Sequence, residues 1–185
     1  MAVLSAGPWM TAPELLGALG RGLQVERQLF HWFEPARSPE LFRADRCPVT
    51  IWEYAPGRVF ATQPGTGDGV KAGIHHDGER TDPDRVRREP TADDERAMRR
   101  LMEIYMPAAA GRLREARVCI YTNTPDHNFV IDVHPSHPQV LIASPCSGHG
   151  FKFAVVVGEI PADLVVEGRC RFDLSPFALR RMLNA

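Results

Sequence analysis

Residues 119–152 read CIYTNTPDHNFVIDVHPSHPQVLIASPCSGHGFK. The stretch opens with strand alternation, Val118 and Ile120 set against Cys119 and Tyr121. Thr124-Pro125-Asp126 is a turn signal. Two further apolar runs follow, over 129–133 and 140–143, and the stretch closes on Ser147-Gly148-His149-Gly150, where a helix is expected to start. Polar groups thus stand at both ends of short buried strands, and the loops between are free to carry chemistry.

The chain around this stretch has 185 residues and a net charge of -1. That length suits one or two small domains with a real core. The near-neutral balance supplies no basic field, which argues against nucleic acid as a partner. No apolar run approaches the roughly 20 residues of a membrane span. The opening MAVLSAGPWM lacks the basic segment of an export signal, so no membrane role and a cytoplasmic location are expected. Cys47, Cys119, Cys146 and Cys170 form no CxxC pair, which suits reduced thiols in such a compartment.

In chain order, residues 2–6 read as a short strand running into Gly7-Pro8, and 9–19 as a short helix with Pro13 near its first turn. Residues 24–34 alternate as a strand, with Phe30 and Trp32 on one face and Leu29, His31 and Phe33 on the other. Ala55-Pro56-Gly57 suits a type II turn, so 49–54 and 58–62 pair as a hairpin. Gly65-Thr66-Gly67-Asp68-Gly69 is GxGxG rather than GxGxxG and precedes a strand, so it reads as a glycine-rich turn, not a nucleotide loop. In the strand that follows, Lys71, Gly73 and His75 share one side. They make either a wet edge or a face turned to a cofactor. The mixed charges of 77–96 read as solvated surface. Thr91 caps a helix whose apolar positions are Ala97, Leu101, Ile104 and Tyr105, and Pro107 stops it. Residues 151–167 are apolar and of helix length, with a bend or break expected near Pro161.

CIYTNTPD, the short FVID strand and SGHGFKF resemble the monomeric sarcosine oxidase and N-methyltryptophan oxidase family of covalent flavoenzymes. VERQLFHWFEP, the G-x-K-x-G/A-x-H pattern ending at His75, and the closing FDLSPFALRR resemble the same family. The resemblance implies an α+β fold: a mixed, largely antiparallel β-sheet substrate domain with helices, plus the C-terminal strands and helix of a glutathione-reductase-like (Rossmann) FAD domain. Residues 1–22 and 125–185 would be FAD-domain pieces and 23–124 the substrate domain. The N-terminal FAD-binding part, with its GxGxxG unit and an arginine expected to share carboxylate binding, is absent from the chain.

The resemblance also implies roles. Cys119 would carry FAD covalently through the flavin 8-methyl group. Gly148, Gly150, Phe151 and Lys152 would contact the cofactor, with Lys152 also holding the substrate carboxylate. Tyr121 and His149 would line the pocket, and Lys71 with His75 would face the flavin, the lysine near N5. The implied activity is oxidation of a secondary (N-methyl) amino acid to an imine, with oxygen reduced to hydrogen peroxide. The substrate partners are then a small amine and oxygen. The alternative is a non-catalytic half that needs a separate chain bearing the N-terminal FAD-binding part. Zinc is a further rival, since His134, His137, Cys146, His149, His75, His76 and Asp77 are all donors, but no recognised finger spacing links them. Pro145-Cys146 and the ATQP ending at Pro64 depart from the family pattern, which bears on pocket shape and hence on substrate.

Overall fold

The structure is a computed structural model and describes residues 1–65 and 69–183. The chain order is β1 (Ala2–Leu4), α1 (Pro13–Leu16), β2 (Gln24–Phe33), β3 (Thr50–Ala55), β4 (Arg58–Gln63), β5 (Val70–His75), β6 (Glu79–Arg80), α2 (Ala92–Tyr105), β7 (Leu113–Asn123), β8 (Val130–His134), β9 (His137–Ser144) and α3 (Ala154–Val166). Two compact units result. One is continuous, Glu26–Cys119, and the other joins Met1–Val25 to the chain from Ile120 onward. The glycine-rich turn expected at 65–69 lies in part outside the described residues.

In the continuous unit the strand path is β3-β4-β5-β2-β6, with β7 also paired to β2. The register is antiparallel along β3-β4-β5-β2, with Trp52 opposite Phe60, Phe60 opposite Ile74, and His31 opposite Ala72. Gly57 takes φ +71°, as a turn with proline before glycine requires. α2 covers this sheet through Met98 and Met102, which pack with Phe33, Phe60, Val70, Ala72 and Ala109. Its start is a capping box: the Thr91 hydroxyl accepts the Asp94 N–H, and the Asp94 carboxylate accepts the Thr91 N–H at 2.8 Å.

The buried stripe of α2 is Met98 and Met102, flanked by Leu101 and Tyr105, whereas Ala97 and Ile104 face solvent. The apolar spacing was legible but its phase was not. Tyr105 is drawn inward by rings, 5.4 Å from Phe60 and 5.6 Å from Trp52 between centroids.

The discontinuous unit holds a sheet ordered β1-β9-β8, parallel between β1 and β9 and antiparallel between β9 and β8. Its core is Met10, Leu16, Leu23, Val130, Ile142, Leu179 and Met182. The helix expected over 9–19 is broken into a 3-10 turn (Gly7–Thr11), α1, and a second 3-10 turn (Gly17–Gly22). Pro13 can only begin a helix, and Gly17, at φ +53°, ends it. Of the bend or break expected near Pro161, the break does not occur: α3 runs on through the proline. The ring costs the hydrogen bond its missing N–H would make, and the buried Ile160 beside it anchors the turn.

Candidate functional site

Ser147 is the hub of the loop that closes the central stretch. It is fully buried (0% exposed) and takes φ +50°. Its N–H donates to the Thr122 carbonyl at 2.9 Å. Its hydroxyl donates to the Asn128 carbonyl at 2.9 Å and accepts the Thr124 N–H at 3.3 Å. The Thr124 hydroxyl reaches the same Asn128 carbonyl at 2.8 Å. One serine thus ties the end of β7 to the turn before β8. Ser147→Ala leaves the Thr124 N–H buried without an acceptor, so a loss of about 2 kcal/mol is expected. A melting temperature lower by about 6 °C would show it; an unchanged value would mean the loop is held elsewhere.

The helix expected to start at Ser147 begins later, as a 3-10 turn (Phe151–Phe153) leading into α3. The two glycines therefore serve close approach rather than a helix start. Gly148 sits at φ +77°, and a Cβ there would meet the Tyr121 ring at 2.3 Å. A Cβ on Gly150 would fall 1.6 Å from the Pro145 carbonyl oxygen. Both missing side chains are thus filled by the protein's own atoms.

His149 is fixed at both ends. Its Nδ1 lies 2.8 Å from the Ser147 carbonyl, which can only accept, so Nδ1–H is the donor there. Its ring stacks on Phe129 at 4.7 Å. Phe129 also packs on Phe153 and Phe177, each at 5.7 Å. Phe151 projects into solvent (95% exposed), and Lys152 is exposed with Nζ 5.3 Å from the Phe153 ring. Asp126 is clamped by Arg181 at 2.5 Å. Partial burial acts to raise the Asp126 carboxyl, but Arg181, the Thr124 hydroxyl and the Asn128 N–H outweigh it and hold the group well below the usual carboxylate range.

The remaining candidates lie in the continuous unit, so the sequence-predicted residues divide into two sets. Tyr121, Gly148, His149, Gly150, Phe151 and Lys152 belong to the discontinuous unit, and Lys71, His75 and Cys119 to the continuous one. Lys71 and His75 are half-buried on the same side of β5, and the His75 ring lies 3.9 Å from that of His76. Cys119 is half-buried on β7. Burial pushes its thiol up to about 11, and the Lys71 ammonium draws it down only in part. At neutral pH this cysteine is a protonated thiol with a cation in electrostatic range.

Sequence reasoning missed Ser147 as the hub, and with it Thr124, Asn128 and Phe129. The signal was present in TNTPDHNF, where a threonine and an asparagine flank Pro-Asp, the composition of a side-chain-tied turn. All four cysteines are free thiols. Among the described residues no group of three or more His, Cys, Asp or Glu is placed to hold a metal ion, and no helix is long and apolar enough to cross a membrane.

Comparison with known proteins gives the family and the fold. The FAD dependent oxidoreductase family matches residues 2–164. Monomeric sarcosine oxidase of Bacillus sp. (strain NS-129) is 40% identical over 183 residues, covering 97% of this chain and 46% of that protein. The Streptomyces avermitilis monomeric sarcosine oxidase is 38% identical, covering 99% of this chain and 48% of that protein. N-methyl-L-tryptophan oxidase of Salmonella heidelberg is 35% identical, covering 97% and 47%. The chain therefore spans about half the length of the curated relatives it matches.

Among solved structures, NikD, an amino acid oxidase of nikkomycin biosynthesis, superposes with a TM-score of 0.71 at 18% identity, over 95% of this chain and 47% of that one. Amadoriase I of Aspergillus fumigatus gives 0.70 at 22% identity, over 96% and 42%. At such identities these show the shared fold, mixed and largely antiparallel. The chain belongs to the FAD dependent oxidoreductase family.

Proposed function

We propose that the chain is part of an FAD-dependent amine oxidase of the sarcosine oxidase type, oxidising a secondary (N-methyl) amino acid to an imine with oxygen reduced to hydrogen peroxide. The observation that supports this best is the pairing of Cys119 with Lys71 in one unit: a thiol able to anchor a flavin, and a cation to act beside it. When bound, FAD supplies two-electron oxidation of the amine and passes the electrons to oxygen.

The chain's own residues then have distinct tasks. Cys119 would hold FAD covalently, its thiol giving up a proton to serve as the anchor at the flavin 8-methyl position. Burial keeps the thiol protonated, so attachment needs help beyond Lys71 to form the thiolate. Lys71 stabilises negative charge as oxygen is reduced, and His75 shares its face. Lys152 holds the substrate carboxylate, with Tyr121 and His149 lining the pocket. Gly148 and Gly150 offer their N–H groups, with Phe151 and Lys152, to the flavin. In this reading 1–22 and 125–185 belong to an FAD domain and 23–124 to a substrate domain. The four free thiols suit a reducing, cytoplasmic setting.

A second reading, a half that works only with a Rossmann-bearing partner segment, is favoured by α3. Val155 (85% exposed) and Val166 (81%) stand in solvent on a helix whose only charged side chains are Glu159 and Asp163. Exposed apolar side chains of this size normally lie against other protein. A polypeptide equivalent to the other half of the curated relatives is the cover this reading supplies, in the same chain or a separate one.

The test is the intact mass of acid-denatured protein, produced with FAD and with that other half added. A gain equal to one FAD, lost in Cys119→Ala, is the expected outcome. Covalent flavin retained in Cys119→Ala would refute the assignment of Cys119. A chain that stays at its bare mass and produces no peroxide from any N-methyl amino acid would overturn the oxidase reading.

A further inference from the structure

Trp32 on β2 lies opposite Lys71 on β5. The Lys71 ammonium stands 4.1 Å from the centre of the Phe30 ring and 5.5 Å from that of Trp32. Phe30 reaches this place because position 73 has no side chain. A Cβ on Gly73 would meet Phe30 Cδ1 at 2.8 Å and the Leu29 carbonyl oxygen at 3.1 Å. Among the described residues no carboxylate pairs with Lys71. Arg117, the other cation on the Trp32 ring at 5.8 Å, is exposed and paired with Glu115.

A carboxylate would also fix an ammonium in space, but it would cancel the charge. Two aromatic faces hold the cation by their quadrupoles and leave its field to act on other groups. Cys119, on the strand that pairs with β2, is such a group. Its thiol responds to Lys71, against the larger effect of burial. Aliphatic residues at 30 and 32 would leave four rotatable bonds to spread the ammonium over many positions, most of them nearer to water.

We propose that Phe30 and Trp32 are positioning residues: they hold the Lys71 ammonium, uncancelled, at one place on the sheet that carries Cys119, and Gly73 is the opening that admits Phe30. This rests on the reading of Lys71 and Cys119 as site residues, and its test needs no flavin.

The test is the rate of Cys119 alkylation by iodoacetamide as a function of pH in the full chain, read by mass spectrometry of the peptide that contains it. Lys71→Met is expected to slow alkylation roughly threefold near neutral pH and to move the profile to higher pH. Phe30→Leu with Trp32→Leu is expected to give at least half of that shift, and Phe30→Tyr with Trp32→Phe to restore the parent profile. A parent profile in the leucine pair beside a shifted Lys71→Met overturns the positioning role. A parent profile in Lys71→Met overturns the action of the ammonium on Cys119. Should the leucine pair fail to fold by circular dichroism, Trp32→Leu alone is read in the same way, against Trp32→Phe. Failure of flavin attachment would sink the proposed function without moving any of these profiles, so the two results are separable.

Discussion

Gly150→Ala is expected to destabilise the discontinuous unit by about 3 kcal/mol, seen as a fall of about 1.5 M in its urea midpoint. The reason is geometric. A methyl group at position 150 would lie 1.6 Å from the Pro145 carbonyl oxygen, and that oxygen is backbone, so it cannot rotate away. The loop between β9 and α3 must open, and opening it strains the Ser147 hydrogen bonds that join it to Thr122, Thr124 and Asn128. Gly148→Ala meets a ring instead, the Tyr121 side chain at 2.3 Å, with the added penalty of φ +77°. Gly158→Ala is the control: nothing lies within 4 Å of a Cβ there, and it is a helix position. It is expected to raise stability by about 0.5 kcal/mol. A Gly150→Ala protein with the parent midpoint would mean that the loop adopts another backbone path.

Asp94→Asn is the second large effect, about 4 kcal/mol on the continuous unit. Arg27 is buried (side chain 2% exposed), and its guanidinium forks onto Asp94 at 2.9 and 3.0 Å. It also donates from Nε to the Arg87 carbonyl at 2.8 Å. Removing the carboxylate charge strands a buried guanidinium. Arg27→Met removes the buried charge itself, while Asp94 keeps Arg87 at 3.0 Å and the Thr91 N–H at 2.8 Å. It is therefore expected to cost less, about 2 kcal/mol. Denaturant unfolding of both variants gives the order, and equal or reversed costs would contradict it.

The pH dependence follows from the same cluster. Burial acts to raise the Asp94 carboxyl, but the hydrogen bonds from Arg27, Arg87 and Thr91 outweigh it and hold the group well below the usual carboxylate range. The unfolded chain therefore binds a proton there before the folded one does. The contribution is complete above about pH 4 and is lost progressively as pH falls below that. Asp94→Asn should flatten this acid limb of the stability curve.

What the sequence disclosed, and what it withheld, divides along physical lines. Alternation disclosed β2, β5 and the end of β7 because a half-buried strand repeats every two residues regardless of its neighbours. Proline followed by glycine placed the β3–β4 turn, and Thr91 placed the start of α2, because both are local chemistry. The phase of α2 was not legible: it depends on where the Phe60 and Trp52 rings of another element lie. The glycines of the SGHG segment were visible, but their reason was not, since Tyr121 and Pro145 fill those spaces only after folding. The aromatic hold on Lys71 was half visible. Phe30 and Trp32 were assigned one face of their strand, but the register that sets Trp32 against Lys71 is a tertiary fact.

The parallel pairing of β1 with β9 sets Ala2 against Val140. During synthesis the early strand therefore waits for residues made far later, on the order of ten seconds at ribosomal rates. The continuous unit closes sooner, because β3, β4 and β5 pair within residues 50–75 and β2 waits only for β7. Folding order is thereby written into the connectivity: the middle of the chain can settle first, and the ends close over a long loop whose entropy grows only logarithmically with its length. A nascent chain halted after Cys119 should already protect the β4–β5 amides from exchange while those of β1 remain open.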